Sequence, residues 1–340
     1  PEAVNKLHTC LEQPVIVADT PLEIEVAVGS ALYPDHGDTP TALLQHADIA
    51  LRVAKSEASG FSIYSPEEDP FSLRRLRLLG ELRQAIADSA LALYYQPKID
   101  LARNRITGVE ALARWPHPVE GMISPGDFMP MVEQTGLIRP FTRWVLETAV
   151  IQCRRWREAG IDLTVAVNLS TRNLLDPTLP DILAGLLETH HVGTAGLTLE
   201  ITESAVMSRP DVALKVLTRL HDMGFKLSID DFGTGYSSLG YLKRLPVDEL
   251  KIDYSFVSDL MDDENDAVIV CSTVSLAHNL GLKVVAEGVE SKDIWDVLVV
   301  LGCDKAQGFY FGRPQSAEQL ERWLSDSPWG FNGLESVASS

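Results

Sequence analysis

Residues 226–239 read KLSIDDFGTGYSSL. Leu227 and Ile229 alternate with Ser228 and Asp230, which is the period of a strand. The run then ends in two adjacent aspartates and a turn holding Gly233 and Gly235. Neighbouring side chains on a strand point to opposite faces, so two carboxylates placed side by side at a strand end need a reason.

The same rhythm recurs on both sides of this stretch. From Leu91 onward the short apolar runs are ALYYQPKI, RITGVEALARW, LTVAVNLS, LTLEIT, KLSIDD, ELKID, KVVAEG and QGFYFG. Helical patterns such as PFTRWVLETAVIQCRRWREAG and DAVIVCSTVSLAHNLG lie between them. Strands alternating with helices predict a mainly parallel α/β sheet. Roughly eight such units in about 240 residues fit a (β/α)8 TIM-like barrel better than an open sheet.

The residues ahead of the barrel form a separate unit, 1–68. IEVAVGSALY (24–33) alternates like a strand, PDHGD is a turn, TPTALLQHADIALRVAKSE has amphipathic helical spacing, and FSIY is a short strand. Leu73, Leu76, Leu79, Leu82 and Ile86 recur at helical spacing and predict a connecting helix over 69–90. The barrel domain is expected over 91–325. The tail, 326–340, is rich in Ser, Gly and Asn and is expected to fray.

Each apolar run of the barrel closes on a polar residue. Glu110 follows ITGV, Asn168 follows VAV, Glu200 follows LTL and Asp230 follows LSI; Lys251 and Asp253 lie in ELKID, and Glu287 follows KVVA. In a β/α barrel such ends meet at one rim, where active sites lie. Burying them together requires a compensating cation. Oxygen donors without a His or Cys cluster suit hard cations such as Mg2+ or Mn2+, and the scattered histidines disfavour zinc. Asp230 could bridge two ions and Asp231 reach the second, and paired metals are an arrangement for phosphoester hydrolysis.

Composition narrows the partners. A formal net charge of −19 argues against binding a nucleic-acid polymer, which relies on Lys and Arg neutralising phosphates. It leaves room for a small anion bridged by divalent cations. No run of eighteen apolar residues is present, so no membrane contact is expected of this part of the chain. Pro1 stands where a start methionine would be, which suggests a piece of a longer protein whose anchor, if any, lies upstream. Cys10, Cys153, Cys271 and Cys303 show no CxxC spacing and read as free thiols in a reducing, cytoplasmic setting. The acidic run DDEND (262–266) reads as a solvated helix start.

Nine ordered segments carry a family resemblance. They are YYQPKI (94–99), EALARW (110–115), FMPMVEQTGLI (128–138), VNLS (167–170), EITES (200–204), DDFGTGYSSL (230–239), LPVDELKID (245–253), EGVE (287–290) and QGFYFGRP (307–314). Residues 92–315 thereby resemble an EAL domain, the cyclic-di-GMP phosphodiesterase family. VAVGSALYPDHG followed by LLQHADIALRVAK resembles the C-terminal half of a GGDEF, or diguanylate cyclase, domain. The signature GGDEF loop is absent from the chain, so this part is not expected to make cyclic-di-GMP.

The resemblance implies hydrolysis of cyclic-di-GMP to linear pGpG by a two-metal mechanism, with two Mg2+ or Mn2+ ions per site. Glu110, Asn168, Glu200 and Asp230 would ligate the first metal, Asp230 would be shared, and Asp231 would sit on the second with Asp253 supporting its shell. Lys251 would orient or help activate the attacking water, and Glu287 would assist at the second metal or as base. Gln96, Arg114 and Gln307 would hold the dinucleotide. Glu203 and Glu290 would steady the DFGTGYSSL loop, which in this family also couples the site to a homodimer. The rival expectation is a catalytically inert receptor for the same dinucleotide. Such members lose metal ligands or degrade the DDFG loop, whereas this sequence keeps both.

Overall fold

The computed structural model describes residues 15–17, 20–22, 26–56, 60–66, 73–234, 239–261 and 263–330. The chain divides into two compact units, Pro1–Gln84 and Ala85–Ser340.

In the first unit, β1 (Val15–Val17) and β2 (Thr20–Leu22) pair antiparallel. β3 (Val28–Ser30), α1 (Pro40–Ser56) and β4 (Phe61–Ile63) follow, with β3 and β4 parallel. The strand expected over 24–33 is therefore only three residues long within the described part, and residues 24 and 25 lie outside it. Gly29 explains the close packing of α1 on β3: a Cβ there would meet Leu51 N at 2.1 Å and Ala47 O at 2.2 Å. Ile49, Ala50 and Tyr64 are buried together, and His46 stacks on Tyr64 at 4.0 Å.

The connecting helix is α2 (Leu73–Ala87). Its buried positions are Leu78, Leu82, Ala85 and Ile86, while Leu76 is exposed. The observed stripe follows four-residue spacing, and the three-residue series from Leu73 drifts off it.

The second unit opens with β5 (Ala92–Asp100), β6 (Arg105–His117) and β7 (Gly121–Ile123). Then come α3 (Pro125–Gln134), α4 (Ile138–Glu158), β8 (Thr164–Leu169), α5 (Thr171–Leu174) and α6 (Leu179–His190). β9 (Leu197–Thr202), α7 (Glu203–Ser208), α8 (Pro210–Asp222) and β10 (Lys226–Phe232) follow. After α9 (Leu239–Leu242) come β11 (Glu249–Ile252), α10 (Tyr254–Ser258) and α11 (Glu264–Asn279). The unit ends with β12 (Lys283–Ala286), α12 (Lys292–Val300), β13 (Lys305–Gln307) and α13 (Ala317–Asp326).

The strand order β5-β13-β12-β11-β10-β9-β8-β6, with β5 also pairing β6, closes an eight-stranded TIM-like barrel. β7 extends β6 outside the ring. All eight expected runs supply a strand, but β5 runs antiparallel to both of its neighbours, β6 and β13. The eighth strand is KAQ, and only Gln307 of QGFYFG belongs to it.

Helices cover the barrel through apolar faces. On α4 the inward stripe is Phe141, Val145, Leu146, Ala149, Val150, Cys153 and Trp156. Trp156 meets Tyr95 of β5 edge-on at 4.9 Å, and its Nε1–H donates to Glu321 of α13 at 2.9 Å.

Asp263 caps α11, accepting from Asn265 N at 2.7 Å, so the DDEND run is a helix start as expected; Asp262 lies outside the described residues. Cys153, Cys271 and Cys303 are free, and burial pushes the Cys153 and Cys303 thiols up to about 12. Cys10 and residues 331–340 of the tail lie outside the described residues. No helix among the described residues is long and apolar enough to cross a membrane.

Candidate active site

Lys251 lies one residue before the end of β11 and is completely buried. Its Nζ stands 2.7 Å from Glu287 Oε1, 2.9 Å from Asp230 Oδ1, 3.0 Å from Glu200 Oε2 and 3.7 Å from Glu110 Oε2. Four carboxylates from four strands or strand ends thus converge on one ammonium. Burial pulls the Lys251 pKa down, but Glu110, Glu200, Glu287 and Asp230 together raise it well above the ordinary lysine value. The cation needed to bury the rim carboxylates is therefore supplied partly from within the chain.

Register explains the convergence. Glu110 pairs with Ala166 of β8 and Asn168 with Glu200 of β9, and Glu200 in turn pairs with Ser228 of β10. Asn168 and Glu200 thus stand directly opposite each other, whereas Glu110 and Asp230 are each two residues out of register with them. Glu110 accepts from Asn168 Nδ2 at 2.7 Å and from Gln307 Nε2 at 2.6 Å, and Gln307 Nε2 also reaches Gln96 Oε1 at 2.9 Å. Burial pushes the Glu110 carboxyl up, yet Lys251, Lys98 and these two side-chain donors outweigh it and hold it at about 2. Glu200 is wholly buried, and burial raises it despite Lys251 and Lys98. Burial also pushes Glu287 up to about 8, with Lys251 opposing and Asp230 and Glu110 adding to the rise.

The adjacent aspartates are brought to one side by the backbone. Asp231 has φ 54°, and the pairing of β10 with β11 shifts register between Ile229 and Phe232. This bulge overrides the alternation of a regular strand. One oxygen each of Asp230, Asp231 and Glu287 lies within 4.8 Å of the others, an acidic cluster able to hold a metal ion. Asp231 is raised by burial and by the charges of Asp230 and Asp253. Gly233, at φ 100°, completes the turn, and Gly235 lies outside the described residues.

The remaining expected residues divide. Gln96 is buried and donates to Gly312 O at 3.3 Å, while the buried Oε1 of Gln307 has no hydrogen-bond partner among the described residues. Glu203, first residue of α7, accepts from Gly233 N at 3.4 Å and so touches the loop it was expected to steady. Glu290 is exposed and has no hydrogen bond or ion pair among the described residues. Arg114 lies four residues beyond Glu110, bonded to Ala113 O at 2.9 Å and lying over the Tyr94 ring. Asp253 caps α10, accepting from Ser255 N at 2.9 Å, and is outside the acidic cluster.

One charged residue at the centre of the site was not anticipated. Lys98 of β5 is 4% exposed and forms an ion pair with Glu200 Oε1. Gln96 and Lys98 are two apart on one strand and so share a face. That parity was the available signal.

Fold and site together define an α/β barrel with a buried, oxygen-donor acidic site at one rim, suited to a hard cation. The chain belongs to the EAL domain family, which matches residues 79–314; residues 1–60 match the diguanylate cyclase, GGDEF domain. It is 44% identical, over 93% of its length, to the bifunctional diguanylate cyclase/cyclic di-GMP phosphodiesterase MucR of Pseudomonas aeruginosa, covering 46% of that protein. It is 38% identical, over 94% of its length, to the cyclic di-GMP phosphodiesterase PdeR of Escherichia coli, covering 48% of it. The chain thus spans about half the length of these curated relatives. A solved structure, the PaMucR phosphodiesterase in complex with c-di-GMP, superposes with a TM-score of 0.70 at 48% identity, covering 72% of this chain and 99% of that one.

Proposed function

We propose that residues 91–325 form a metal-dependent phosphodiesterase that hydrolyses cyclic di-GMP to linear pGpG. The observation that carries this reading is the convergence of Glu110, Glu200, Asp230 and Glu287 on the Lys251 ammonium, with Asp231 turned in beside Asp230. Likeness to a phosphodiesterase structure containing c-di-GMP supports the substrate. The relatives' names support the reaction.

The donor set fits two hard cations, Mg2+ or Mn2+. Glu110, Asn168, Glu200 and Asp230 would hold one, and Asp230 and Asp231 the other, with Asp253 behind them. When bound, such ions supply charge to the phosphoryl oxygens and acidify the attacking water.

The protein's own groups do the rest. Asn168 and Gln307 fix the orientation of Glu110. Lys251 would orient or help activate the attacking water, on the strength of the family resemblance. Glu287 would assist at the second cation or accept that water's proton; in the cation-free protein it holds its own proton up to about 8, so it serves as base only in its ionised form, which a bound cation favours. The oxygen of the water joins phosphorus, the bond from phosphorus to the 3′ oxygen breaks, and a proton goes to that oxygen. Gln96 and the free Oε1 of Gln307 offer hydrogen bonds to the dinucleotide. The half-buried Arg114 guanidinium offers a fork to phosphate. Glu203 and Glu290 would steady the loop after β10, and the reading includes a homodimer formed through this domain, on the strength of the family resemblance.

Incubating the protein with cyclic di-GMP and Mg2+ or Mn2+, and resolving products by chromatography, tests the reaction. Tight binding without turnover would support a receptor instead.

A further inference from the structure

Three strands of the barrel begin on lysine. Lys226 opens β10, Lys283 opens β12 and Lys305 opens β13, so all three stand at the mouth opposite the acidic rim. Lys226 is two residues before Ser228, which is wholly buried and donates to Glu249 of β11 at 3.5 Å, so the two share the inner face of the strand. Lys283 is the register partner of Glu249, and Lys305 that of Asp100, the last residue of β5. With Arg103, Asp100 and Asp304, the lysines line a cavity of about 680 Å3, within the size of small-ligand sites. Charge in this mouth is not balanced. Asp304 holds Lys283 at 2.6 Å, Glu249 holds Lys305, and Asp100 holds Arg103 at 3.4 Å. Lys226 is exposed, and its ammonium has no ion pair or hydrogen bond among the described residues. Stability accounts for the paired lysines but not for this one, and a surplus cation in a concavity reverses locally the sign of a chain of formal net charge −19.

We propose that this mouth is a second binding site, for a small phosphate-bearing anion, with Lys226 as its principal charge. Each ammonium carries three donors, so Lys283 and Lys305, with one carboxylate partner each, keep N–H groups to give. The Arg103 guanidinium, whose side chain is 69% exposed, keeps donors beyond the one aimed at Asp100 and offers a fork to phosphate. Binding here needs no divalent cation, because the charge is supplied by side chains. That separates the mouth from the acidic rim, where an anion is repelled unless a cation lies between.

Calorimetric titration of the intact protein, stripped of divalent cations and then freed of chelator, tests this with two probes. Inorganic pyrophosphate supplies the phosphates alone, and adenosine triphosphate adds a nucleoside to them. Saturable binding of at least one is expected, and the tighter probe tells whether the mouth takes the phosphates only or a whole nucleotide. Lys226→Ala should weaken that binding by about tenfold, the size of one charge-assisted hydrogen bond, and Lys226→Glu should abolish it. Lys215→Ala, which removes an exposed lysine of α8 outside the cavity lining, should leave it unchanged. Lys226 makes no ion pair to lose, so the alanine variant should unfold at the temperature of the unmodified protein. No binding of either probe to the unmodified protein overturns the proposal. So does equal affinity in Lys226→Ala, or an equal loss in Lys215→Ala, which would mark a diffuse response to net charge.

Discussion

The amide N–H of Asp231 donates to Oδ1 of Asp230 at 3.0 Å, from a left-handed backbone at φ 54°. Two neighbours that a regular strand would send to opposite faces are thereby held on one side of it. Asparagine tolerates the left-handed region and β-branched residues do not. Asp231→Asn should therefore keep the unfolding temperature while lowering turnover by about 100-fold, the usual size for loss of one electrostatic group. Asp231→Val should lose activity and, in addition, about 1–3 kcal/mol of stability through backbone strain. Thermal unfolding alongside product chromatography separates the two; equal stability in both variants would deny the strain.

Lys251 is the shared counter-ion of four buried carboxylates. Lys251→Met should cost about 3–5 kcal/mol in chelator-treated protein, because breaking a buried pair leaves charge uncompensated. Mn2+ should restore part of that stability, since a ligand of the folded state stabilises by mass action. Turnover should stay at least about 100-fold down even with Mn2+ present. Denaturant titrations with and without chelator check the first two statements, and a Mn2+-insensitive midpoint would contradict them.

Glu287 holds its proton up to about pH 8 when folded, against an ordinary value of 4.5. Folding therefore takes up a proton between those values. This group's contribution makes stability fall as pH rises from about 4.5 to about 8, by at most about 1.4 kcal/mol per pH unit, and level off above. Glu110, held at about 2, acts in the opposite sense: its contribution is complete above 4.5 and is lost as pH falls toward 2. Glu287→Gln should flatten the decline between pH 5 and 8 in chelator-treated protein. An unchanged slope in a pH series of denaturation midpoints would remove the assignment.

Much of this architecture is readable from strand ends. Glu110, Asn168, Glu200, Asp230, Lys251 and Glu287 stand at equivalent places in successive runs, and a barrel must gather such places. Strand direction is less accessible, because periodicity carries no polarity. The clue to β5 lies in its connection instead: four residues, 101–104, separate it from β6, too few for a parallel crossover. Lys98 escapes notice because lysine is rarely buried unless paired, and its partner Glu200 is 102 residues away. Asp253 carries a second task that its place one residue past β11 does not announce: its carboxylate caps α10 while its charge still raises Asp231.

Formation of pGpG from cyclic di-GMP by chelator-stripped protein reconstituted with Mg2+ or Mn2+, compared with the same preparation of Glu110→Ala, tests the central claim most directly. The account predicts product only when the cation is restored, and a loss of about 1,000-fold in Glu110→Ala, within the range for removal of one group that stabilises the transition state. Undiminished product from stripped protein, or from Glu110→Ala, would contradict it.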